Sequence, residues 1–131
     1  MRDRIDFRDD TRSLDDFAKR IKSGLIAIHP AMSWSDEKRA HFIESIAYMG
    51  LPFGQVYVQE LPTGRYVVVD GSQRLQAVMA FLESRLLLDG VGYDAHAPYI
   101  LNRFEAIRIR YHIIPFDASP ELVQDILARI K

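Results

Sequence analysis

The chain has 131 residues, with 17 Lys+Arg, 18 Asp+Glu, four His, no Cys, a formal charge of −1 and 48% apolar residues, which points to one domain able to bury a core. This composition excludes collagen-like, low-complexity and strongly disordered classes, disulfide frameworks and cysteine chemistry, and it supplies no global field to recruit nucleic acid or an anionic membrane. The longest apolar runs (LIAI, VVV, LLL) are far short of a membrane span and MRDRIDFRDD is no signal peptide, so no membrane association and a cytoplasmic location are expected.

Residues 1–12 alternate in sign and read as a solvated or loosely docked arm, ahead of a single domain over 13–131. Ser13 is a good N-cap, Asp15 and Asp16 follow it, and Leu14, Phe17, Ala18 and Ile21 recur at helical spacing until Gly24. LIAI (25–28) reads as a short buried strand and HPAMSW (29–34) as a loop. Ser35 caps a second helix whose apolar face is Ala40, Ile43, Ile46 and Ala47; LPFG (51–54) is a turn.

QVYVQEL (55–61), PTG and RYVVVD (65–70) predict a hairpin, its second strand inside the sheet. A helix follows DGSQR, with Leu75, Val78, Met79, Leu82 and Leu86 on one face. DGVGYDAHAP (89–98) reads as a long polar loop. EAIRIRYHII (105–114) alternates, with Ile107, Ile109, Tyr111 and Ile113 opposite Arg108, Arg110 and His112. Ser119-Pro120-Glu121 starts a last helix with an apolar stripe. The expected fold is α+β: a small mixed sheet with a hairpin, flanked by about four helices.

The strand–DGSQR–helix segment is the best candidate for chemistry. Asp70 closes a strand, Gly71 permits a positive φ or a close approach, and Ser72 or Asp70 can cap the helix. The helix start offers unpaired N–H groups to an anion, and Gln73 and Arg74 add donors. A cation in a first helical turn opposes the macrodipole, so Arg74 needs a partner: a bound phosphate, or Asp70 in a structural pair. There is no GxxxxGK(S/T) and no GxGxxG.

Elsewhere the signals are weaker. His29, His41, His96 and His112 show no metal-ligand spacing and read as structural, and no Ser/His/Asp triad assembles. The Arg108–Arg110–His112 face, with Arg85 and Arg103, could meet nucleic-acid phosphates, but an exposed sheet edge protected by charge is favoured. Tyr93 and Tyr99 read as packing residues. The stripe on the last helix makes self-association an expectation.

The run YVVVDGSQRLQAVMAFL (66–82) resembles the DGQQR-motif family, with its pattern "viDGQQRLtTLlaFl". WSDEKRAHFIESIAYMGLPFGQVYV (34–58) is similar to that family's upstream block, and IRIRYHIIPFDASPELVQDILARIK to its later segment, so the resemblance covers about residues 25–131. It implies a ParB/sulfiredoxin-like fold and an N-terminal domain of modification-dependent restriction and phage-defence proteins. There the motif binds and helps hydrolyse a nucleoside triphosphate with Mg²⁺, and a separate domain cuts DNA.

Carried over, the resemblance implies nucleotide contacts from Gly71, Ser72, Gln73, Arg74 and Trp34, a catalytic and metal-binding Asp70, and a catalytic Glu44 from the helix motif. The nuclease, or another protein partner, would be supplied separately, and DNA contact is an expectation. The chain departs from the family in four places. Ser72 replaces the first Gln. His29-Pro30 lacks the arginine that precedes the family's tryptophan. Gly54 stands where a second proline would be, and the family continues beyond the matching segment with Asn, a helical region and the nuclease. These departures favour binding over turnover, because each missing phosphate donor can cost about a hundredfold or more in rate. The alternative expectation is a catalytically degenerate module that acts on a partner.

Overall fold

Alternation and β-branched residues build a mixed five-stranded sheet of order β1-β5-β3-β4-β2 in the computed structural model, which describes residues 7–30 and 33–130. The strands are β1 (Arg8–Ser13), β2 (Ile26–Ala27), β3 (Val56–Glu60), β4 (Tyr66–Asp70) and β5 (Arg108–Ile114). The predicted hairpin is β3–β4, antiparallel, and β4 lies inside the sheet as expected. β2 pairs parallel with β4, and β3 parallel with β5.

The helices are α1 (Leu14–Lys22), α2 (Asp36–Ala47), α3 (Ser72–Leu82), α4 (Pro98–Glu105) and α5 (Pro120–Ile130), with a 3-10 turn at Tyr93–Ala95. The Oγ of Ser13 accepts from the Asp16 N–H at 3.1 Å and the Oγ of Ser35 from the Lys38 N–H at 3.2 Å, so both predicted caps form. α3 is the central helix: every residue from Leu75 to Phe81 is buried. It packs with α1, α2 and α4 on the sheet face that carries Val56, Val58, Ile109, Tyr111 and Ile113. The described residues form one small α+β domain. Among them no helix is long and apolar enough to cross a membrane.

Two expectations are corrected. Residues 8–12 of the charged arm are not loose: with Ser13 they form β1, an edge strand antiparallel to β5. Its apolar content is negligible, and it is held by the ladder and by charge. Arg110 and His112 both donate to the Asp9 carboxylate, and Arg12 bonds Asp16 at 2.8 Å and the Tyr111 hydroxyl at 2.8 Å. The residues expected in the arm at 1–6 lie outside those described.

β5 is consequently not an edge, because β1 covers it. Its basic face is engaged within the chain: Arg110 and His112 meet Asp9, and Arg108 donates to the Thr11 carbonyl at 3.2 Å.

The described residues hold five helices around a mixed sheet, in keeping with the expected α+β fold with about four helices and with one more than that number. The extra one, α4, follows the 89–98 loop and buries Ile100 and Phe104. Its signals were Pro98 at the first turn and an apolar pair four residues apart.

A candidate nucleotide cleft at the DGSQR corner

β2 and β4 run parallel, so their carboxyl ends open on one side, β2 feeding the loop to α2 and β4 turning through Gly71 into α3. A cleft of ≈ 750 Å³ lies there. Crevices outside the carboxyl ends of parallel strands are where open α/β sheets gather ligands. Asp70, Gly71, Ser72, Gln73 and Arg74 line one wall, and Val123, Gln124 and Leu127 of α5 line another. Trp34 and His29 complete it from the loop.

Gly71 is the N-cap of α3 with φ +112°, and no side chain caps the helix. The expectation that Ser72 or Asp70 would cap it fails because Gly71 takes the cap position between them, and the Asp70 carboxylate stands 3.9 Å from Arg74 instead. Ser72 is already the first helical residue, and its Oγ accepts from the His29 N–H at 3.1 Å. Gln73 Oε1 accepts from the Ser33 N–H at 3.1 Å and the Trp34 N–H at 3.3 Å. Gln76, one turn on, donates from Nε2 to the His29 carbonyl. The first turns of α3 thus fasten the segment that carries Trp34.

Arg74 fastens the turn on the other side. Its Nη1 donates to the Phe53 carbonyl at 3.0 Å and its Nη2 to the Gln55 carbonyl at 2.7 Å. Asp70 is a looser partner, 3.9 Å from Nη2. Burial pulls the guanidinium below its usual pKa, while the charge of Asp70 pulls the other way. Of the two partners expected for Arg74, a phosphate or Asp70, the carboxylate is present as a secondary one, and the primary partners are two carbonyls that were not expected. The guanidinium still lines the cleft, as does Asp70, the only carboxylate among its described lining residues.

The structure brings Asp70, Gly71, Ser72, Gln73, Arg74 and Trp34 together at one cleft. It does not bring Glu44 there: Glu44 is exposed on α2 and is not among the residues that line the cleft. No group of three His, Cys, Asp or Glu able to hold a metal exists among the described residues. His96 is a core histidine whose Nδ1 lies 2.6 Å from the Tyr48 hydroxyl, and Tyr93 donates to Glu105. Arg103 donates to the Ala47 and Tyr48 carbonyls at the end of α2.

Sequence reasoning missed Gly54, Phe53 and Gln55 as the seat of Arg74. A glycine in place of the second proline was the available signal. It also missed Gln59 and Gln124, polar groups of the cleft with no local pattern.

The family model of the GmrSD restriction endonuclease N-terminal domain matches residues 16–130. No curated protein and no solved structure matches the chain. The matched span takes in the Trp34 segment, the 53–55 turn, the DGSQR corner and α5, and the chain belongs to the family of GmrSD restriction endonuclease N-terminal domains.

Proposed function

We propose that the cleft binds a nucleoside triphosphate together with a divalent cation, and that the domain serves a restriction system through this site. The observation that carries the reading is the meeting, in one cleft of ≈ 750 Å³, of the α3 N-terminus, left without a side-chain cap, with the carboxyl ends of two parallel strands. Helix amides and the macrodipole favour phosphate there. Gly71, at φ +112°, supplies the left-handed turn that brings the start of α3 to the cleft. The volume lies inside the range of small-molecule sites, about 300–1,000 Å³.

A lone Asp70 suits Mg²⁺ that arrives with phosphate oxygens, since that ion is commonly held by one or two carboxylates plus the substrate. When bound, the cation neutralises phosphate charge. Asp70 would hold it, the first amides of α3 would bind the phosphates, and Trp34 would offer its ring. Arg74 lends positive charge from the position that fixes the 53–55 turn. Hydrolysis is proposed as slow, because Arg74 is shared with the Phe53 and Gln55 carbonyls and Glu44 stands away from the cleft.

That same engagement of Arg74 favours a second reading, in which the nucleotide is bound without turnover and the domain acts on a protein partner. The exposed end of the α5 stripe at Ile130 supports it.

Thermal unfolding with each Mg-nucleotide, paired with a phosphate-release assay, separates the readings. A ligand at about 100 times its Kd stabilises by about 2.7 kcal/mol, several degrees in Tm for a domain of this size. A shift with slow phosphate release supports the first reading, and a shift without release the second. No shift with any nucleotide contradicts both.

A further inference from the structure

Beside the cleft lies an apolar slot of ≈ 310 Å³ that the reading above leaves without a role. Phe42 and Ile46 of α2 and Leu51 and Pro52 of the following turn form its walls, and Trp34 belongs to both the slot and the cleft. Phe42 meets Trp34 edge to face at 5.8 Å, and Lys38 Nζ sits 4.7 Å from the Trp34 ring centroid. Few polar side chains line the slot: Lys38 and His41, both exposed, and Ser45, whose Oγ donates to the His41 carbonyl at 2.8 Å.

Resting on the proposed function, we propose that this slot receives the base of the nucleotide, with the sugar passing the edge of Trp34 and the triphosphate lying at the start of α3. Two observations join the slot to the cleft. The first is the shared Trp34. The second is that the same helical turn holds both sides of the slot: Gln73 accepts the Ser33 and Trp34 amides, and Arg74 grips the Phe53 and Gln55 carbonyls next to Leu51 and Pro52. A site assembled from one turn fits one ligand with two unlike ends. The slot's chemistry suits a flat heteroaromatic ring: aromatic and aliphatic walls for its faces, and an imidazole, a hydroxyl and an ammonium at its rim. His41 and Ser45 would then read the edge of the base.

The test compares nucleoside triphosphates with inorganic tripolyphosphate, each with Mg²⁺, on the full chain by calorimetry and fluorescence. Trp34 is the single tryptophan, so its emission reports on the slot directly. A base in the slot makes at least one nucleotide bind about tenfold or more tighter than tripolyphosphate and quench Trp34. In Ser45→Leu, which fills the slot, and in His41→Ala, an exposed position that tests the same slot if Ser45→Leu folds poorly, that advantage and the quenching shrink. Equal affinity of nucleotide and tripolyphosphate overturns the slot while leaving phosphate binding intact. Quenching and a tenfold advantage that persist in both variants also overturn it. Failure of every nucleotide and of tripolyphosphate to bind removes the proposed function itself.

Discussion

Nη1 of Arg74 occupies the space in which a side chain at position 54 would begin: a Cβ built on Gly54 would meet it at 2.1 Å. Gly54 also has φ +94°, a conformation that L side chains rarely adopt. Glycine at this position is what lets the guanidinium lie flat against the turn and reach the carbonyls on either side of it.

Gly54→Ala must therefore displace the guanidinium as well as strain the backbone, and a loss of about 2 kcal/mol or more is expected. With Arg74→Ala already present, the clash is gone and the cost of Gly54→Ala falls to the backbone strain, about 1 kcal/mol. Urea unfolding of the wild type, both single variants and the double variant checks the coupling. Strict additivity would mean that Arg74 does not rest on this turn.

Gln73 acts through its acceptor oxygen, which takes two backbone N–H groups. Gln73→Ala strips both amides of that partner and is expected to cost about 1–2 kcal/mol. It should also alter Trp34 emission. Gln73→Glu keeps an acceptor in place and should retain most of the stability. A Gln73→Ala protein with unchanged emission and unfolding midpoint would show that the Trp34 segment is held some other way.

Gly71 combines φ +112° with close neighbours, a Cβ there meeting Val56 Cγ2 at 3.3 Å. Gly71→Ala should destabilise the domain by about 1–3 kcal/mol, read by thermal unfolding. A neutral effect would contradict the left-handed corner between β4 and α3.

The edge strand should respond to acid. Arg110 first and His112 second hold the Asp9 carboxyl below its ordinary value of 3.8, and Asp16 is lowered chiefly by Arg12. A carboxyl with a depressed folded-state pKa contributes stability above its unfolded value, and that contribution disappears as pH falls through the folded value. Protection of the β1 amides in hydrogen exchange should therefore weaken on acidification from about pH 5 to below 4. Asp9→Asn should flatten that dependence, and an equally steep loss in the variant would place its source elsewhere.

Elements whose residues carry their own periodicity were legible in the sequence. α1 and α2 begin at Ser13 and Ser35, the strand Val56–Glu60 pairs with Tyr66–Asp70, and the buried side of β5 is Ile109, Tyr111 and Ile113, all as the pattern requires. β1 was hidden because RDDTRS has almost no apolar content. Its strand conformation comes from the β5 ladder and from Asp9, 103 positions from His112. That pairing in turn made β5 an interior strand.

At the site, residue types pointed to the corner and the structure assembles it. The use of each side chain was not legible. Ser72, Gln73 and Arg74 spend polar atoms on main-chain groups of His29, Ser33, Trp34, Phe53 and Gln55, and backbone partners leave no trace in side-chain identity. Only Gly54, small where a proline was expected, betrayed its neighbour.

Under the proposed function a triphosphate binds before α3 with a cation held by Asp70. Titration calorimetry of a nucleoside triphosphate into the wild type and Asp70→Asn, with and without Mg²⁺, tests it most directly. The expected result is saturable binding of one nucleotide per chain, tightened by Mg²⁺ in the wild type and not in Asp70→Asn. No heat from any of the common nucleoside triphosphates, or a Mg²⁺ effect that survives in Asp70→Asn, would contradict it.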